Sequence, residues 1–150
     1  LPYQKGVYFP STADKEKISV GAERQRRYRA MKRWRTDLTE ENFWGVVVAY
    51  AGVKFKTYSG LPFTYEIKKG RNGQYTKELW IDRRENSKSL AWSSVRMVFE
   101  RALEQQGAIF TSPKELVDVR GVSYTFSLLW RFGMISVPEE VEKKLKGNRK

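Results

Sequence analysis

The 150-residue chain reads as an α+β domain, a three-stranded antiparallel sheet packed against several helices behind an N-terminal arm and a basic helix. Three observations carry this reading. Between Val53 and Asp82 apolar and polar residues alternate with period two, in runs separated by turn residues. On both sides of that stretch the apolar residues recur at i, i+3, i+4 and i+7 instead. The strand-like runs are also consecutive, not interleaved with helices, which predicts helices gathered on the sheet's inner face.

Leu1 to Val20 contains Pro2, Gly6, Pro10 and Ser11 and is expected as an extended arm, anchored by Tyr3, Val7, Tyr8 and Phe9. Gly21 to Thr36, GAERQRRYRAMKRWRT, follows as a helix, since Ala, Arg, Met, Lys and Gln favour one. Tyr28, Met31 and Trp34, spaced three apart, form its narrow apolar stripe. Residues 37–146 then make a single α+β domain. Asp37 with Glu40 matches a capping box for a helix from Leu38 to Ala51, with Phe43, Val46, Val47, Tyr50 and Ala51 on its core face and Gly52 as its stop.

Val53 to Tyr58 is the first expected strand, with Val53, Phe55 and Thr57 inward. After the Ser59-Gly60-Leu61-Pro62 turn, Phe63 to Lys69 is the second, with Phe63, Tyr65 and Ile67 inward. Asn72-Gly73 within Lys69–Gly73 is a strong hairpin signal. It leads into Gln74–Asp82, with Tyr75, Leu79 and Ile81 inward. The outer face would then show Lys54, Lys56, Tyr58, Thr64, Glu66, Lys68, Thr76, Glu78 and Trp80. An antiparallel sheet can leave one face to water, but a tryptophan there asks for a cover, either a nucleotide base or another part of the same protein.

Arg83 to Lys88 is a charged link. Ser87 or Ser89 is expected to cap a long helix to about Gln106, whose apolar face is Leu90, Val95, Val98, Phe99, Ala102 and Leu103, with Gly107 ending it. Ala108 to Phe110 is a short strand, and Thr111 or Ser112 caps a short helix with Pro113 in its first turn. Val122 to Phe132 is a largely buried helix stopped at Gly133. Pro138 to Lys146 is a last helix, with acids early and lysines late to match its dipole. Gly147 to Lys150 is a basic tail.

Composition narrows the function. Lys plus Arg number 29 against 17 Asp plus Glu, a net charge of +12, which attracts phosphate polymers or anionic membranes. There is no cysteine, so disulfide, zinc–thiolate and iron–sulfur sites are excluded, as fits an intracellular protein of cytoplasm, nucleoid or nucleus. The absence of histidine excludes Ser-His-Asp triads, histidine metal sites and histidine general bases. No GxxxxGK[ST] phosphate loop occurs. No apolar run approaches the roughly 20 residues of a membrane span, and no signal-peptide pattern opens the chain, so no membrane partner is expected. Leu1 in place of Met is what a trimmed fragment or one domain of a longer protein would show.

Seven basic residues, Arg24, Arg26, Arg27, Arg29, Lys32, Arg33 and Arg35, share the first helix with one acid, Glu23. Cations at i, i+3 and i, i+4 repel one another, and a polyanion laid along the helix removes that repulsion. Arginine grips phosphate by a planar fork, and Tyr28 and Trp34 could stack on bases. The expectation is a non-enzymatic nucleic-acid-binding protein without cofactors, favouring double-stranded DNA over an RNA-bound ribonucleoprotein role. A module docking an acidic protein partner is a further alternative. Additional contacts would come from Lys54, Lys56, Lys68, Arg71 and Trp80 on the sheet and its turns, and from Arg83, Arg84, Lys88, Ser93 and Arg96 around the start of the following helix. The plain alternative for that helix is surface pairing of Arg96 and Arg101 with Glu100 and Glu104.

Glu66-Ile67-Lys68 on a strand resembles the second half of the PD-(D/E)xK nuclease metal site, which needs a neighbouring aspartate to share Mg²⁺ with the glutamate. Asp82 and Asp37 are the candidates, but proline precedes neither, so the first half of the pattern is missing. The competing reading makes Glu66 and Lys68 cross-strand ion partners.

Overall fold

The computed structural model describes residues 12–82 and 88–147, with side chains from Gly21 onward. These residues form an α+β fold of five helices and one antiparallel sheet: α1 (Thr12–Thr36), α2 (Glu40–Ala49), β1 (Phe55–Lys56), β2 (Pro62–Glu66), β3 (Glu78–Asp82), β4 (Lys88–Ala91), α3 (Trp92–Glu104), α4 (Val122–Arg131) and α5 (Glu139–Lys146). No helix among them is long and apolar enough to cross a membrane.

The sheet has four strands, not three, in the meander order β1-β2-β3-β4. The alternation seen in the sequence sets its inner face: Phe55 lies opposite Phe63, Tyr65 opposite Ile81 and Leu79 opposite Leu90, and all six are buried. The added strand is Lys88–Ala91, expected as the link and first turn of the long helix. Its three polar or small residues carry no strand period of their own. Pairing with β3 satisfies that strand's free backbone groups, and the ladder turns Leu90, 1% exposed, onto the sheet's core face. Helix α3 therefore starts at Trp92, whose N–H is bound by the Lys77 carbonyl at 3.0 Å. Its N-cap is Ala91 with no side-chain cap, not Ser89; Ser87, like Arg83 and Arg84, lies outside the described residues.

Helix α1 also departs from expectation. It runs 25 residues, about 37 Å at 1.5 Å per residue, and takes in residues 12–20, which were expected in the arm. Residues 1–11 and the tail 148–150 lie outside the described residues. Its buried stripe is Ala30, Met31 and Trp34 with half-buried Arg27, the i, i+3, i+4, i+7 set; Tyr28, expected in the stripe, is 64% exposed. The cap of α2 is Thr39 instead of Asp37, its hydroxyl oxygen accepting from the Asn42 N–H at 3.1 Å. The Asn42 side-chain amide in turn donates to the carbonyls of Asp37 (2.9 Å) and Arg33 (3.3 Å), closing the turn between α1 and α2.

The core centres on Phe43. Its ring lies 4.8 Å from Phe99, 5.4 Å from Trp92, 5.5 Å from Trp34 and 6.5 Å from Phe132, so α1, α2, α3 and the end of α4 meet at one aromatic cluster. Trp34 Nε1 donates to the Phe132 carbonyl at 3.0 Å. On the sheet side the buried Tyr65 hydroxyl donates to the Val47 carbonyl, and burial holds its pKa well above the ordinary phenol value.

The hairpin between β2 and β3 turns at Asn72-Gly73, with Gly73 at φ +78° and Lys69 paired with Tyr75. Tyr75 was expected inside but is 43% exposed, because β3 begins only at Glu78. The short strand at Ala108–Phe110 reduces to one parallel bridge, Ile109 to Ser136. The following helix is a single 3-10 turn, Pro113–Glu115. Gly121, at φ +75°, opens α4 directly against β4: a Cβ there would stand 2.1 Å from Leu90 Cδ2.

Candidate nucleic-acid interface

From Gly21 to Arg26 every residue of α1 is exposed, so this stretch of the helix stands clear of the core. The anchored part follows, held by Ala30, Met31 and Trp34. A rotation of 100° per residue sorts the exposed cations into two rows beside that anchor. Arg24, Tyr28, Lys32 and Arg35 lie on one flank, and Arg26, Arg29 and Arg33 on the other. Glu23 contacts Arg26 at 3.4 Å and half-buried Arg27 at 3.6 Å; both contacts are long and lie at the surface, and such pairs contribute little. Arg24, Arg29, Lys32, Arg33 and Arg35 make no ion pair among the described residues. The repulsion inherent in the sequence is therefore left largely uncompensated. Tyr28 stands exposed within the first row, whereas Trp34, named as a stacking residue, is 1% exposed and committed to the core.

The sheet's outer face has a different character. Register places Glu66 opposite Trp80 and Thr64 opposite Asp82, so Glu66, Glu78, Trp80 and Asp82 share that face. The cover that Trp80 required comes from the protein itself, with Lys68 Nζ 4.1 Å from the ring centroid. Three carboxylates thus share the outer face with an ammonium group engaged by its own tryptophan, and none of them forms an ion pair with it among the described residues. Lys54 is exposed beside β1, Lys56 is half-buried with its stem against Gly147, and Arg71 is exposed in the hairpin turn. Lys88 belongs to β4, opposite Ile81. Ser93 and Arg96 are exposed on α3, and neither Arg96 nor Arg101 forms an ion pair with Glu100 or Glu104.

The Glu66–Lys68 ion pair is not formed either. Glu66 and Asp82 are diagonal neighbours across β2 and β3, with Cα atoms about 7–8 Å apart by sheet geometry. Asp37 sits in the turn between α1 and α2. Among the described residues no group of three or more carboxylates is placed to hold a metal ion.

Two cations escaped sequence reasoning. Arg131, at the end of α4, has its Cζ 5.9 Å from the Tyr50 ring centroid and 5.4 Å from that of Phe55. Lys77 lies 4.7 Å from the Trp44 ring and 5.4 Å from Trp92, whose Nε1 donates to Glu40 at 2.8 Å. In sequence, Arg131 is simply a cation in a last helical turn, where the dipole already favours one.

No family model matches this chain, and no similar protein was found among curated proteins or solved structures.

Proposed function

We propose that this protein is a non-enzymatic binder of double-stranded DNA that grips backbone phosphates through α1. One observation carries the reading: two rows of exposed cations flank a single helix, and most of them have no carboxylate partner among the described residues. A helix about 10–12 Å across fits the major groove of B-DNA, about 12 Å wide, where phosphates line both walls. Charge on both flanks suits that placement. The deep, narrow major groove of A-form RNA does not admit a helix in this way. Exposed Tyr28 adds a ring within the basic row. The sheet's outer face, rich in carboxylates, is not part of the proposed contact.

The test is fluorescence anisotropy on equal-length duplex DNA, duplex RNA and single strands, across a salt series. Duplex DNA should bind tightest, with a log–log slope growing by about 0.9 for each phosphate held. Tighter binding of duplex RNA would shift the assignment to a ribonucleoprotein component. A flat salt response, or no binding to any polymer, would end the nucleic-acid reading and leave an acidic protein partner.

A further inference from the structure

Tyr50, at the end of α2, is approached by two guanidinium groups from distant parts of the chain. Arg27 of α1 and Arg131 of α4 each place Cζ 5.9 Å from its ring centroid. The two cations therefore lie no farther apart than twice that distance. Among the described residues, half-buried Arg27 has one ion pair, the 3.6 Å contact with Glu23, and exposed Arg131 has none. A cation–π contact with a ring uses none of a guanidinium's N–H donors and leaves them for an anion. Two like charges brought to one tyrosine repel each other, Glu23 offsets that only on the Arg27 side, and an anion reaching both would be favoured.

We infer that Arg27, Tyr50 and Arg131 form a phosphodiester-binding site that carries the DNA contact from α1 across α2 onto the C-terminal end of α4. This rests on the nucleic-acid reading of α1 and extends it to a residue on a separate helix. Helix dipole and the cation–π contact with Phe55 account for Arg131 as a structural residue, but neither requires a second arginine on the same tyrosine. The site gives the duplex a second point of attachment, so the protein holds it at a defined angle instead of by one helix alone.

The experiment compares the wild-type protein with Arg131→Gln, Arg131→Lys and the control Arg101→Gln on one duplex across a salt series, each checked by thermal melting. Arg131→Gln should lower the salt slope by about 0.9, the share of one phosphate, and weaken binding equally on unrelated sequences. Arg131→Lys should keep the wild-type slope, because the charge remains, and Arg101→Gln should change nothing. A slope unchanged in Arg131→Gln while the wild type binds DNA overturns this site alone. A slope lowered equally in Arg131→Lys also overturns it, since loss of packing and not of charge would then be responsible. Failure of the wild-type protein to bind any duplex overturns the reading of α1 and this site with it.

Discussion

Helix α1 and the sheet differ in where they direct their chemistry. On α1 the aromatic Trp34 is buried and the cations stand outside, mostly unpaired among the described residues. On the sheet the inner face holds Phe55, Phe63 and Tyr65, and the outer face mixes signs, with Lys68 over Trp80 and Glu66, Glu78 and Asp82 on the same face. Both elements carry lysine or arginine and tryptophan. A net charge of +12 therefore says little about where a polyanion can lie; the balance of cations and carboxylates on each face decides it.

Four changes test that contrast. The largest effect is expected from Arg24→Gln, Arg26→Gln, Arg29→Gln and Arg33→Gln combined. Glutamine keeps the helix, so circular dichroism should be unchanged. At about 0.9 per phosphate the salt slope should fall by about 3.6, if each arginine holds its own. An unchanged slope would show that α1 is no more a DNA element than the sheet is.

Next comes Trp34→Ala, which removes the anchor of α1 and leaves the Phe132 carbonyl without its donor. Denaturant unfolding should show a loss of about 3–5 kcal/mol. A loss below about 1 kcal/mol would mean that α1 is not held by this contact.

Tyr65 tests the inner face of the sheet through pH. Burial raises its folded pKa above the unfolded value of about 10. Its contribution is thus present below about pH 10 and is lost as pH rises from there toward the folded value, where the unfolded chain releases the proton first. Tyr65→Phe should flatten that alkaline decline, while Tyr75→Phe, at an exposed tyrosine, should leave it unchanged.

The smallest effect is expected from Glu66→Gln, Glu78→Gln and Asp82→Asn combined. Removing these charges should tighten DNA binding by less than about tenfold through the long-range field, with no change in salt slope because this face holds no phosphate. A steeper slope would bring the sheet into the interface.

The comparison also shows what could be read in advance. The strand alternation from Phe55 to Ile81, the Asn72-Gly73 hairpin and the helices ending near Arg131 and Lys146 all appear where their local signals lie. The failures share one cause. Lys88–Ala91 has no strand pattern and pairs because β3 offers a free edge. Thr39 replaces Asp37 as cap, and Tyr28 gives its place in the stripe to Arg27, through shifts of a residue or two that a three-residue spacing does not resolve. In the site, the basic row of α1 was legible as a cluster, but which of its aromatics stayed outside was not.

The sequence alone determined the order of most elements and the concentration of positive charge in one helix, because periodicity, turn chemistry and local charge are properties of neighbouring residues. Tertiary structure decided that Trp34 is core and Tyr28 surface, that Trp80 is covered by Lys68, and that Arg27 and Arg131 meet at Tyr50. Burial and cation partnership depend on what another part of the chain brings to the same place, and residues more than 100 positions apart carry no local mark of that meeting.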